Sequence, residues 1–126
     1  MREIKFRGFN KKRNTWIVGY YLQNRGADFV CPDEFATGKT WEDYEVEPET
    51  VGQYTGVKDR NGREIYEGDI ITLYENPKYE YVVEWIEGKA MFLCRCLQTK
   101  LGLANLPYNG GERVEIIKNK YDYEEK

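Results

Sequence analysis

The chain has 126 residues, 40% of them hydrophobic and 33% charged, a balance typical of a globular domain that excludes an intrinsically disordered chain. The net charge of −3 and the pI near 5.2 set it apart from proteins whose overall basicity marks nucleic-acid binding. Eleven tyrosines, five phenylalanines and three tryptophans favour strands over helices, so we expect an all-β protein.

The first half of the chain predicts short strands joined by polar turns. Ile4 and Phe6 alternate with Lys5 and Arg7, which is the period of a strand with one wet face. A second strand over residues 15–22 has apolar groups on both sides, and the polar turn before it predicts an antiparallel hairpin. One face of this strand has Trp16, Val18, Tyr20 and Leu22, and the other has Ile17 and Tyr21.

After a turn at residues 24–26, a short strand is predicted over residues 27–31, and Pro32 ends it. Residues 32–49 show neither the period of a strand nor that of a helix. We interpret them as a surface loop with one helical turn.

The second half predicts further strands at intervals of about ten residues. The predicted strands are residues 51–55, 63–66, 70–73, 79–86, 90–97 and 114–117. Turns are predicted at Asn76 and Pro77 and at Glu87 and Gly88, and a long loop over residues 98–111. Three successive strands with two short turns form a meander, and the whole pattern predicts antiparallel sheets in a partly closed barrel or sandwich.

Turn chemistry is concentrated between residues 56 and 69. Glycines and acidic residues there suit tight turns, because glycine permits positive φ and an Asp carboxylate can bond nearby backbone N–H groups. Asn61 and Gly62 are expected to take the positive φ of a hairpin turn. The candidate structural turn residues are Gly56, Asp59, Asn61, Gly62, Gly68 and Asp69.

Positive charge is concentrated near the start of the chain. Residues 1–26 carry seven basic residues and one acidic residue, a net +6, whereas the remaining hundred carry 12 basic and 21 acidic residues, a net −9. The first hairpin could therefore bind a polyanion, with nearby aromatic rings stacking on bases. It could equally attract another part of the domain or a neighbouring subunit. The candidate contact residues are Lys5, Arg7, Lys11, Lys12 and Arg13.

No catalytic constellation is recognised. The sequence Gly38-Lys39-Thr40 lacks the earlier glycine of a phosphate loop, and Glu80 and Glu84 on one strand face are interpreted as a solvated face. The chain contains neither histidine nor serine, the commonest general base and a common nucleophile. We expect no enzymatic activity.

The thiols give no sign of a metal site or a cofactor. Cys31, Cys94 and Cys96 form an odd set without a CxxC pair, whereas a structural zinc site usually takes four cysteine or histidine ligands. Reduced, partly buried thiols are expected, with no cofactor. No apolar run reaches the roughly 18 residues that cross a bilayer, so a cytoplasmic protein with no membrane partner is expected.

The chain resembles the YopX family over nearly its full length. The opening has Ile4, Lys5, Phe6, Arg7, Gly8 and Phe9 in the family's order. The middle block has Val51, Gln53, Tyr54, Thr55, Gly56, Asp59, Gly62, Ile65, Tyr66, Gly68 and Asp69. Near the end, residues 115–121 follow the family pattern with Lys118 in place of glycine.

The resemblance implies an accessory protein of phages and prophages, acting in a bacterial host cell. It also implies one YopX-like domain over residues 1–126, with an N-terminal β lobe, 1–55, and an SH3-like C-terminal lobe, 56–126. The family has no established biochemical activity. We expect a protein-interaction or host-modulating module, with self-association included; the alternative is a single-stranded nucleic-acid-binding barrel that uses the basic hairpin.

Overall fold

The computed structural model of the chain describes residues 3–33, 38–74, 76–89, 91–99, 103–105 and 113–121. Over these ranges it contains eleven β-strands and three short 3-10 turns, and no α-helix. The predicted all-β class with antiparallel sheets is confirmed. Within the same ranges, no helix has the length and apolar character needed to cross a membrane.

Two compact units divide the chain, Glu3–Gln53 and Tyr54–Asp122. The first unit contains four complete strands and the start of a fifth. These are β1 (Phe6–Asn10), β2 (Thr15–Asn24), β3 (Ala27–Cys31), β4 (Glu45–Val46) and β5 (Gly52–Lys58). They are antiparallel, in the order β4-β3-β2-β1-β5.

The predicted hairpin of β1 and β2 is confirmed by a continuous register from Phe6 opposite Gly19 to Asn10 opposite Thr15. The next turn joins β2 to β3 through Arg25 and Gly26, whose φ angles are 52° and 80°. Two successive positive φ angles match the right-handed twist of the flanking strands, which keeps this hairpin tight.

One face of the first sheet forms a small core. Ile17, Val30 and Val46 come from three strands, and Tyr44 comes from a 3-10 turn at Trp41–Tyr44. That turn is the helical turn predicted within residues 32–49. A second 3-10 turn, Pro48–Thr50, and the two-residue strand β4 were not predicted, because segments of two or three residues carry no readable period.

The second unit contains the end of β5 and six further strands. These are β6 (Glu64–Tyr66), β7 (Asp69–Leu73), β8 (Asn76–Ile86), β9 (Met91–Cys96), β10 (Leu103–Asn105) and β11 (Val114–Asn119). β5 pairs with β6, and the other five form an antiparallel sheet in the order β10-β9-β8-β7-β11. The meander of β7, β8 and β9 is as predicted.

Two boundaries in this unit differ from the prediction. Asn76 belongs to β8 and lies opposite Leu73, so the turn comes earlier than Asn76 and Pro77; a proline is tolerated near a strand's start. The predicted loop over residues 98–111 contains β10, which pairs with β9 at the sheet edge. Neither sheet closes into a barrel in the part of the chain described here, and the SH3-like likeness stays a prediction.

The core of the second unit is apolar and closely buried. Val83, Cys94 and Val114 are fully buried, and Phe92 is 1% exposed. Side chains from β5, β6, β7, β8, β9 and β11 meet in it: Val57, Ile65, Ile71, Val83, Phe92, Cys94, Val114 and Ile116.

Candidate protein-contact surface

Asp59 joins the turn after β5 to strand β11. One carboxylate oxygen accepts bonds from the backbone N–H groups of Asn61 and Arg63, both at 2.9 Å, and the other accepts one from Ile116 at 3.1 Å. The backbone N–H of Arg60 donates to the Val114 carbonyl at 2.8 Å. The buried carboxylate therefore satisfies backbone donors of both the turn and the edge strand.

Gly62 takes a φ of 80° in this turn, as predicted, whereas Asn61 does not have a positive φ. The Gly62 N–H donates to the Asp59 carbonyl at 3.0 Å, and the Asp59 N–H donates to the Arg63 carbonyl at 2.7 Å. One residue with a positive φ is therefore enough for this turn, because the Asp59 carboxylate bonds the N–H groups of Asn61 and Arg63.

The residues before this turn form a bulge in β5. Tyr54 lies opposite Tyr66 and Lys58 opposite Glu64, so β5 advances four residues where β6 advances two. Gly56 has a φ of 90° within the bulge. The Thr55 hydroxyl donates to the Ile65 carbonyl at 2.8 Å and accepts from the Val57 N–H at 3.2 Å, which fixes the irregular backbone.

Gly68 and Asp69 form the corner that leads into β7. The Asp69 carboxylate accepts a bond from the Tyr66 N–H at 2.8 Å and is 2% exposed. Gly68 has a φ of 95°, and a Cβ there would lie 3.0 Å from the Tyr121 ring. The turn residues between 56 and 69 thus form hydrogen bonds with backbone groups of the second unit, and Gly68 leaves room for the Tyr121 ring. None of these contacts requires a ligand.

The basic hairpin tip faces acidic residues of the same unit. The Lys12 ammonium lies 3.5 Å from carboxylate oxygens of both Glu42 and Asp43, and Lys11 lies 3.9 Å from Glu47. The buried Asn10 side chain holds this arrangement, since its amide donates to the carbonyls of Glu42 and Glu45 at 3.1 and 2.7 Å. Much of the positive charge predicted for polyanion contact is therefore offset locally.

The other three predicted contact residues lie in different surroundings. The Arg7 guanidinium lies over the Trp16 ring, 4.7 Å from its centroid, and Lys5 forms an ion pair with Glu3 at 3.4 Å. Arg13 is exposed and, within the described ranges, has no ion pair. The structure does not bring the five basic side chains together as one unopposed patch.

Asp43 is the acid that this arrangement perturbs. The N–H of Thr40 donates to its carboxylate at 2.9 Å and lowers the pKa of Asp43, and the charge of Lys12 lowers it further. Thr40 thereby begins the 3-10 turn at Trp41–Tyr44. The Gly38-Lys39-Thr40 sequence thus leads into one short turn, with no long helix to bind phosphate.

Glu80 and Glu84 have different partners. The Arg95 Nε donates to both oxygens of the Glu84 carboxylate, at 2.8 and 3.1 Å. The backbone N–H of Glu80 instead donates to the Gln98 side chain at 2.9 Å. Glu84 is thus held in a cross-strand ion pair.

The three cysteines are free thiols. Burial raises the pKa of Cys94 to about 12, and it also raises the pKa of Cys31. Hydrogen bonds from Thr99 lower the pKa of Cys96. Over the described ranges, no three His, Cys, Asp or Glu side chains lie close enough together to hold a metal ion.

A row of exposed apolar side chains follows β2 in the first unit. Tyr20 is 61% exposed, Val18 42% and Leu22 41%, and alternate residues of a strand point to the same side. Tyr21 points to the other side, where its ring contacts Phe6 and its hydroxyl donates to Asp28 at 2.9 Å. Burial, followed by the bond to Asp28, raises the pKa of Tyr21.

The neighbouring strand extends this surface. Leu22 lies opposite Phe29 on β3, and the Trp41 ring packs edge-on against Phe29 at 5.6 Å while remaining 54% exposed. We call the surface formed by Val18, Tyr20, Leu22 and Trp41, together with the buried Phe29 ring beside Leu22 and Trp41, the β2 face. Exposed Tyr and Trp beside aliphatic groups is the composition of protein contact sites rather than of a solvated strand.

A cavity lies at each end of the β2 face. One, of about 370 Å³, is lined by Glu3, Ile4, Lys5, Val18, Gly19, Tyr20 and Asp33. The other, of about 410 Å³, is lined by Asn24, Arg25, Ala27, Phe29 and Trp41. Both are open to the surface.

Sequence reasoning placed Val18, Tyr20 and Leu22 on one face of a strand, but it did not identify that face as exposed. Trp41 and Arg25 were missed, since their positions beside Phe29 depend on a loop and a turn. The available signal was a strand with apolar residues on both sides, of which only one side can face a small core.

These features define an all-β protein of two antiparallel sheets, with turn residues that serve the backbone and a strand face that carries exposed aromatic groups. Residues 5–125 match the model of the family described as YopX protein, and the chain therefore belongs to the YopX family. No match was found among curated proteins.

Proposed function

We propose that this YopX-family chain is a non-enzymatic protein-interaction module, an accessory protein of phages and prophages that acts in the cytoplasm of the bacterial host. The observation that carries the proposal is the β2 face, where Tyr20 is 61% and Trp41 54% exposed beside Val18 and Leu22. Burial of such rings against a partner removes apolar area from water at low conformational cost.

The acidic residues around the basic hairpin favour this proposal over nucleic-acid binding. A phosphate that approaches Lys11 or Lys12 would have to displace Glu47, Glu42 or Asp43, or lie beside them. Counterion release from a neutralised strand supplies most of non-specific nucleic-acid affinity, and an ammonium already paired with a carboxylate contributes little to it.

Affinity capture with matched variants tests the proposal. Wild-type protein, Tyr20→Asp and Tyr74→Asp are immobilised and exposed to host lysate; Tyr74 is a control because it is 70% exposed and belongs to the second unit. We expect a defined protein on wild type and Tyr74→Asp that is lost from Tyr20→Asp. Equal recovery on all three, or recovery of background alone, would contradict the proposal.

An oligonucleotide arm tests the alternative. Wild type is expected to show no retention of single-stranded DNA or RNA at low salt. Arg13→Glu is the cleanest variant, because a charge reversal at Lys12 would also create repulsion with Glu42 and Asp43. Retention that falls with salt and with Arg13→Glu would establish nucleic-acid binding instead.

A further inference from the structure

We propose that the partner of the β2 face is a second copy of this chain, packed face to face about a two-fold axis that lies in the interface and runs at right angles to β2. This inference rests on the proposed function and names the partner for the same surface. The observation behind it is the placement of two opposite charges at the two ends of the apolar row.

Arg25 stands at one end. It lies in the turn between β2 and β3 and lines the cavity beside Phe29 and Trp41. It is exposed and, within the described ranges, forms no ion pair. Its guanidinium is therefore available at the rim of the β2 face.

Asp33 stands at the other end. It comes two residues after Cys31, the last residue of β3, and Cys31 lies opposite Tyr20. Asp33 lines the cavity beside Val18 and Tyr20. It too is exposed and, among the residues described, has no ion pair. Glu3 and Lys5 in the same cavity already pair with each other at 3.4 Å, so Asp33 is the unopposed charge there.

β3, Ala27–Cys31, lies between these two charged residues along the chain. Its five residues span roughly 17 Å at the rise of a strand. A two-fold operation reverses the direction of the face, so that Arg25 of each copy meets Asp33 of the other. The rows of Val18, Tyr20 and Leu22 then cross at the centre. An isologous contact requires this self-complementarity, with an apolar centre and a charged rim.

The arrangement makes a charge-swap prediction that few alternative partners would share. Arg25→Asp places two acidic residues together at each end of the dimer, and Asp33→Arg places two arginines together. Each change is expected to raise the dimer dissociation constant about tenfold or more, because like charges across an interface are strongly unfavourable. The double variant Arg25→Asp with Asp33→Arg restores opposite charges and is expected to dimerise like wild type.

Sedimentation equilibrium on the full chain over a wide range of concentration measures the dimer dissociation constant of each variant. Tyr20→Asp is expected to be monomeric, whereas Tyr74→Asp and Arg13→Asp are expected to dimerise like wild type. Circular dichroism confirms that each variant is folded. Arg25 has a φ of 52°, which Asp tolerates better than most residues, so this exchange retains the turn.

A wild-type chain that is monomeric at every concentration overturns the inference, as does a dimer that the two single charge reversals leave unchanged. If the monomer still captures a different protein through Tyr20, the proposed function stands and only the second copy is excluded. If the dimer follows the charge swap and capture returns background, the second copy stands and the binding of a host protein fails.

Discussion

Asp59 shows how one buried carboxylate can determine the path of the chain. Its two oxygens accept three backbone N–H bonds, two from its own turn and one from Ile116, 57 residues away. A buried N–H without a partner costs about 1–3 kcal/mol. The residue therefore contributes to the fold of the second unit through backbone groups.

Replacement of Asp59 by Ala should lower the free energy of unfolding by about 3 kcal/mol, since three N–H groups lose their acceptor. For a chain of this size the melting temperature should fall by roughly 10 °C. Glu49→Ala is the control, an exposed acid expected to change stability by less than about 0.5 kcal/mol. Equal melting temperatures for Asp59→Ala and wild type would show that water replaces the carboxylate at no cost.

Cys94 gives the second prediction at this scale, a loss of stability at high pH. Burial raises its pKa from 9.0 to about 12 in the folded chain, so the unfolded chain loses the proton first. Below about pH 9 the thiol is protonated in both the folded and the unfolded chain, so its contribution to the free energy of unfolding is fully present. That contribution is lost as pH rises from about 9 to about 12.

Urea unfolding at about pH 8 and about pH 10.5 measures this effect. Cys94→Val should be less sensitive to the change of pH than wild type, because it removes the thiol and retains an apolar side chain. Tyrosine ionisation is common to both proteins and cancels in the comparison. Identical pH dependence in the two proteins would mean that the Cys94 thiol does not titrate differently on folding.

At the scale of elements, the pairing of β2 with β3 depends on a close approach at Gly19. A Cβ on Gly19 would lie 2.0 Å from the carbonyl oxygen of Cys31, a backbone atom that cannot move without shifting the strand. Glycine within a strand often marks such an approach. β2 can therefore approach β3 this closely only because residue 19 has no side chain.

Gly19→Ala is expected to lower the free energy of unfolding by about 3 kcal/mol, at the upper end of the cost of overpacking. Gly88→Ala, in a 3-10 turn with open space around it, should change it by less than about 0.5 kcal/mol. Urea denaturation followed by circular dichroism compares the two. If both variants unfold at the same urea concentration, the approach of β2 to β3 is looser than described here.

The longer strands were predictable because five or more residues with period two specify both the element and its faces. β4 and β10 were not, since their pairing is decided by a partner strand. The acidic surroundings of Lys12 were equally hidden, because Glu42 lies 30 positions further along the chain and no local pattern links them. Alternation also placed Val18, Tyr20 and Leu22 on one face of β2, but whether a face is covered depends on tertiary contacts.

At the scale of the whole molecule, a charge asymmetry in the sequence does not produce an equally asymmetric surface. Of the seven basic residues in 1–26, Lys11 and Lys12 pair with Glu42, Asp43 and Glu47, and Lys5 pairs with Glu3. Arg25 and Asp33 remain as exposed charges at the ends of an apolar row. Because of this placement, we expect the protein to bind its partner through the β2 face rather than through the basic tip.

A dilution series followed by the amide chemical shifts of the wild-type chain tests this expectation most directly. We expect shifts that depend on concentration and are confined to the β2 face and its two ends, that is residues 18–22, Arg25, Phe29, Asp33 and Trp41, with Tyr74 and residues 11–13 unchanged. Shifts centred on Tyr74 or on the basic tip, or none at any concentration, would contradict the assignment of the β2 face to self-contact.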